Sequence, residues 1–186
     1  MRRIFIGTLV VLTIALINGC ANRKITRVDP SETIDLSGRW NDSDSRLVSE
    51  EMIGDLLTSA WIPRYLKAND KRPVVVVGLV ENKSHEHINS ETFIKDVEKA
   101  IIRDGNIRLA AGEKRNELRK ERAEQQDYAS PETTKKWGKE LGADFILQGT
   151  INSIVDSYKK QKVVTYQIDL QLTNIETNEV VWMGDK

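Results

Sequence analysis

The 186-residue chain carries 28 basic and 28 acidic side chains, a balance that gives no general attraction to nucleic acid or to anionic lipid headgroups. Cys20 is the only cysteine, which excludes a disulfide within the chain, so a folded domain must rest on a hydrophobic core. The length suits one domain, large enough to bury such a core.

The first residues read as an address. Arg2 and Arg3 form a positive stretch, residues 4–17 an apolar one, and Ile17-Asn18-Gly19-Cys20 a cleavage-like end. The apolar stretch is shorter than the ~20 residues of a membrane span. The arrangement resembles the bacterial lipoprotein signal. That resemblance implies removal of residues 1–19 by cleavage between Gly19 and Cys20, with acylation of Cys20 as the first mature residue. Asn22 stands where an aspartate would retain such a protein, which by the sorting convention of that class implies the periplasmic face of the outer membrane. With Arg2 and Arg3 gone, 26 basic residues face 28 acids, a net charge of −2.

Residues 20–35 form the lipidated cysteine and a short tether, and residues 36–186 the domain. Within it, Gly38 suggests a turn, Trp40 a buried plug, and Asn41, Asp42 or Ser43 a helix N-cap. The spacing of Leu47, Met52, Ile53, Leu56, Leu57, Ala60 and Trp61 predicts a helix over about 44–60, broken or kinked by Pro63 before a turn at Asn69-Asp70. The segment 73–80, with four consecutive valines, is the strand around which the rest is organised. A β-branched run without alternation reads as a strand covered on both faces. Ile88-Asn89-Ser90 then staples and caps a helix whose inner face is Phe93, Ile94, Val97, Ala100 and Ile101, ended by Gly105. Residues 107–110 predict a short strand parallel to the central one.

Residues 113–126 predict a charged, solvated helix, and Ser130-Pro131 the start of another, anchored by Trp137 and Leu141. The last third reads as an antiparallel meander. A long strand over 144–155 leads through a loop at 157–162 into a strand in which Val164, Tyr166, Ile168, Leu170 and Leu172 alternate with polar residues. A turn at 176–178 precedes a final strand over 179–183. No internal repeat is present. The fold class is therefore α/β (α+β): a small mixed sheet with helices on both faces and a C-terminal antiparallel meander.

Sites for chemistry are few. His85 and His87 flank Glu86 just past the central strand, and alternate residues of an extended segment point the same way, so two imidazoles could share a metal. A closed structural zinc site needs more ligands, with no cysteine to supply them, and a solvated loop is the plainer reading. Asp42-x-Asp44 is similar to part of a calcium loop but lacks its glycine and closing glutamate, which leaves a capping role. No nucleophile elbow or phosphate-cradling glycine loop occurs. The sequence reads as a binding module without catalytic residues, metal or cofactor. Candidate partner contacts are Trp40, Asn41, Asp42, Asn82, Lys83, His85 and His87.

The segments 36–44, 73–84, 142–151 and 166–182 together resemble the LpoB family, outer-membrane lipoproteins that activate bifunctional penicillin-binding proteins, the peptidoglycan synthases. The resemblance spans roughly residues 36–183 and implies a fold similar to the N-terminal domain of TolB. It also implies a protein partner, a bifunctional penicillin-binding protein, while the charge balance implies no nucleic acid as partner. The alternatives are a subunit of an outer-membrane assembly or secretion complex and, from a different class, a metal-dependent hydrolase centred on His85 and His87. This chain departs from the best-known members in its tether. They carry a long proline-rich one; the fifteen or so residues here reach at most ~50 Å at ~3.3–3.6 Å each.

Overall fold

The computed structural model describes residues 29, 38–112, 114–136 and 139–186. The leader, Gly19, Cys20 and nearly all of the tether lie outside the described residues, as does Trp137. Among the described residues no helix is long and apolar enough to cross a membrane. One unit, Thr33–Lys186, holds the whole core.

The valine run is a strand, β1 (Val74–Asn82). It sits second in a five-stranded sheet of order β2-β1-β3-β4-β5, parallel to β2 (Arg108–Ala110) and to β3 (Phe145–Tyr158). The rest is the expected meander, with β4 (Gln161–Asn174) antiparallel to β3 and to β5 (Val180–Asp185). The mixed α/β class thus holds.

The absence of alternation in β1 has two causes. Val74 is buried and Val76 half-buried on the face opposite Val75 and Val77, and the chain at Gly112 lies against Val76. In addition, the register slips between Val77 and Val80, so both face the core while Leu79, 65% exposed, turns outward. A one-residue irregularity of this kind inverts the pattern that a sequence reading extrapolates.

Helix α1 (Asp42–Thr58) starts on a capping box. The Asn41 Oδ1 accepts the Ser43 and Asp44 N–H groups, and Asp44 accepts the Asn41 N–H in return. Its inner face differs from the predicted stripe. Leu47 is exposed, whereas Ser45 and Ser49 are buried one turn apart, with Met52, Ile53 and Leu56 below them. Small side chains let α1 approach α3 (Ser90–Asp104) closely, and the Ser45 hydroxyl donates to Asp96 at 2.9 Å. The helix ends before Pro63, not at it. The Leu56 carbonyl accepts both the Ser59 hydroxyl and the Trp61 indole N–H, which redirects the chain into α2 (Trp61–Asn69). Pro63 sits in the first turn of α2, where its missing N–H costs nothing. Helix α3 is capped by Asn89 and closed by Gly105 at φ 77°, with Phe93, Ile94, Val97 and Ile101 buried as expected.

Helix α4 (Arg115–Tyr128) buries none of its described side chains, as its composition implied. The helix expected after Ser130-Pro131 is not formed: residues 131–133 are a turn and 134–136 irregular. The hydroxyls of Thr133 and Thr134 bond the Ser130 carbonyl, and Thr134 also the Gln125 carbonyl, offering the backbone an alternative to helix.

Two residues of the sheet have consequences for stability. Gly149 of β3 lies between Leu147 and Ile151 on the core face, and a Cβ there would overlap the Asp169 carbonyl and the Leu170 side chain of β4. Gly149→Ala is expected to destabilise by about 1–3 kcal/mol. Gly54, inside α1 with open space around its Cα, should respond oppositely, Gly54→Ala gaining about 0.5–1 kcal/mol. Urea denaturation of both variants checks the contrast.

Asp144 clasps the starts of β1 and β3. Its carboxylate accepts the Val74 N–H at 2.8 Å, its own N–H donates to the Val74 carbonyl at 2.8 Å, and Lys71 stands 3.4 Å away. Burial alone would raise its pKa, but the Val74 N–H, Tyr65 and Lys71 outweigh burial and hold it below the ordinary value. Because the folded pKa lies below the unfolded ~3.9, the contribution is complete above that value and is lost as pH falls through the folded one. Asp144→Ala is expected to cost about 1–3 kcal/mol at neutral pH by leaving the Val74 N–H unpaired. It should also flatten the acid limb of a stability–pH curve below about pH 4.

Candidate functional site

Past the carboxyl end of β1 the chain must turn out of the sheet and reach α3, and the way it does so builds a knot. Asn82, the last residue of β1, uses its amide twice. Its Nδ2 donates to the Glu86 carbonyl at 2.8 Å and the Ile88 carbonyl at 3.3 Å, and its Oδ1 accepts the Ser84 N–H and hydroxyl. The loop is thereby folded back on the strand end. Serine 153 of β3 secures it from the side: its Oγ accepts the His85 backbone N–H at 3.0 Å and lies 2.6 Å from His85 Nδ1.

The centre of the knot is Glu86. Its side chain is 17% exposed and stands 3.8 Å from Arg39 Nε and 3.7 Å from His85 Nε2. It also acts on Tyr166 of β4: burial first, and then this carboxylate, raise the Tyr166 pKa above its ordinary value. Trp40 completes the arrangement. Its ring meets Phe93 edge-on at 6.3 Å and Tyr166 at 5.6 Å, and its backbone N–H donates to the Tyr166 hydroxyl oxygen at 3.3 Å. The segment before α1, the loop after β1 and the middle of β4 are thus tied at one place. Beside them opens a groove of about 320 Å³ lined by Gly38, Arg39, Trp40, Val48, Val164 and Tyr166.

The seven residues singled out from sequence do converge on this end of the sheet, in two roles. Trp40, Asn41 and Asn82 are half-buried and support the structure: a plug, an N-cap and a loop clasp. Asp42, Lys83, His85 and His87 are exposed. The premise for a two-histidine metal site fails, because His85 lies in a bend over residues 84–86, so strand alternation does not align it with His87. Among the described residues no three His, Cys, Asp or Glu side chains gather as metal ligands. Asp44 performs the capping role expected of it.

Glu86 was not legible as a functional residue. Between two histidines it reads as one more charge on a solvated loop. The only available signal was its neighbour Asn82, whose side chain commonly bonds backbone two residues on. What the cluster can do is present a fixed surface. The Ser153 oxygen is engaged by the backbone N–H and Nδ1 of His85, and the loop is held, so a partner would meet preset groups rather than ordering them on binding.

The family described as peptidoglycan-synthase activator LpoB matches over residues 44–186. Among solved structures, the chain is similar to the LpoB C-terminal domain from Escherichia coli, at 17% identity and TM-score 0.43, covering 76% of this chain and 96% of that one. It is similar to the LpoB C-terminal domain from Salmonella enterica at 16% identity and TM-score 0.44, covering 77% and 96%. The lipoprotein GNA1162 from Neisseria meningitidis matches at 16% identity and TM-score 0.39, covering 61% of this chain and 80% of that one. No curated protein sequence matches the chain at a significant level.

Proposed function

The chain belongs to the LpoB family of peptidoglycan-synthase activators, regulators rather than enzymes, and on that premise we propose that it binds and activates a bifunctional penicillin-binding protein in cell-wall synthesis. The observation that carries this reading is the family match itself, which extends over residues 44–186 and includes both the loop after β1 and the β4 segment that form the knot. The lipid on Cys20 holds the protein at the periplasmic face of the outer membrane. Asp42, Lys83, His85 and His87 make the contact, held in place by Trp40, Asn41 and Asn82. Activation follows if the domain binds the active conformation of the synthase more tightly than the inactive one. A pull-down from solubilised envelope membranes with the Thr33–Lys186 unit tests this: a penicillin-binding protein should be recovered, and recovery of outer-membrane assembly proteins alone would overturn it.

The tether favours weighing a second reading, a subunit of an outer-membrane assembly or secretion complex, because a short linker limits reach. Linked binding collapses when the linker cannot span the gap. Deleting about ten residues within 21–34 is expected to abolish function in cells while leaving binding by the soluble domain intact. A flexible polar insert there should be tolerated. Normal growth and wall synthesis with the shortened tether would instead place the partner at the outer membrane.

A further inference from the structure

β1 leaves β3 at Ile151, and β5, extended by Lys186, reaches β4 no further than Ile168. Beyond these points residues 152–158 and 161–167 have only each other as ladder partners. At ~3.3–3.4 Å per residue, this two-stranded ribbon extends roughly 20 Å past the sheet. The sequence reading ended the first strand at 155 and so did not foresee it.

The ribbon carries apolar side chains in the open. Ile154 and Tyr158 alternate onto one face with Val163, which pairs with Asp156 between them. These three apolar side chains are 63%, 70% and 62% exposed. At the tip follow Lys159, Lys160 and Lys162. Among the described residues no ion pair is formed by these three, as also holds for Lys67, Lys114, Lys135, Lys136 and Lys139, whereas Lys71, Lys83, Lys95, Lys99, Lys120 and Lys186 each stand in one. Lys159 lies over the Tyr158 ring at 5.2 Å. A chain neutral as a whole therefore places three lysines that form no ion pair at the end of this ribbon, against the one acid, Asp156, on its apolar face.

We propose that this tip docks reversibly on an anionic lipid bilayer. The lysines would meet headgroup phosphates, their stems and the tyrosine suiting the boundary between water and hydrocarbon, while Ile154 and Val163 lose exposed apolar surface. A wholly polar anion would leave those aliphatic side chains in water, and the charge selects an anionic surface. The inference does not depend on the activator reading; it gives the domain a second hold on a membrane, since an acyl chain and a basic patch together bind more firmly than either.

The test uses the Thr33–Lys186 unit, which contains the whole core, and vesicles of phosphatidylcholine with or without phosphatidylglycerol. Sedimentation should show binding to the phosphatidylglycerol vesicles alone, falling steeply with salt. Changing Lys159, Lys160 and Lys162 together to glutamine should weaken partitioning on the order of a hundredfold. Because this unit lacks cysteine, Lys160→Cys carries a single environment-sensitive dye. Its emission should shift on adding anionic vesicles, whereas a dye at Thr177→Cys, in the turn at the opposite end of β4, should not respond. No binding, equal binding to neutral vesicles, or binding unchanged in the triple variant would each overturn the proposal.

Discussion

Phe93→Ala is expected to cost about 3–5 kcal/mol. Phe93 is fully buried on α3, and its ring supports Trp40, which in turn meets Tyr166. Truncation therefore removes a large core side chain and also undercuts the plug of the candidate site. Set against the ~5–15 kcal/mol that holds typical domains folded, the loss is large enough to show as a marked drop in the urea midpoint. Phe93→Leu keeps most of the volume and should lose less. Tryptophan emission gives a second readout, since the contribution of Trp40, one of four tryptophans, should change in Phe93→Ala under conditions where the circular dichroism remains native. A midpoint lowered by less than about 1 kcal/mol equivalent would contradict the packing described.

Cys20→Ser should abolish acylation and remove the protein from the outer-membrane fraction, with the domain still folded. The effect is all-or-none in kind because the lipid is the proposed permanent anchor, and two or more acyl chains hold where a single one binds only marginally. The fractions must be washed at high salt, which releases an electrostatic contact made by the β3–β4 tip but not a lipid anchor. Retention of Cys20→Ser in the washed outer membrane would show that the lipoprotein reading is wrong. Loss from that membrane together with loss of wall-synthesis phenotype rescue is the expected result.

The elements whose evidence is local were readable beforehand. Strict alternation from Val164 to Leu172 gave the buried face of β4, and Asn89 with Gly105 gave both ends of α3. The N-cap region before α1 and the valine strand were equally plain. What escaped depends on contacts distant in sequence. Ser45 and Ser49 look polar and surface-bound until α3 is seen packed on them, and Leu47 looks buried for the same reason. The slip in β1 register cannot be read from a run in which valine follows valine. Glu86 acquires its role from Arg39 and Tyr166, 47 and 80 positions away. The exposed half of the β3–β4 ribbon, finally, obeys no burial pattern because nothing in the described domain covers it.

The central claim is that this domain binds and activates a peptidoglycan synthase, and its most direct test is glycan-strand polymerisation by a purified bifunctional penicillin-binding protein from the same cells. Adding the Thr33–Lys186 unit should raise the rate saturably. The variant with Asp42, Lys83, His85 and His87 changed to alanine should need a higher concentration for the same effect while keeping the native circular dichroism spectrum and cooperative urea unfolding. A rate independent of the domain at concentrations up to saturation of any measured binding would contradict the account.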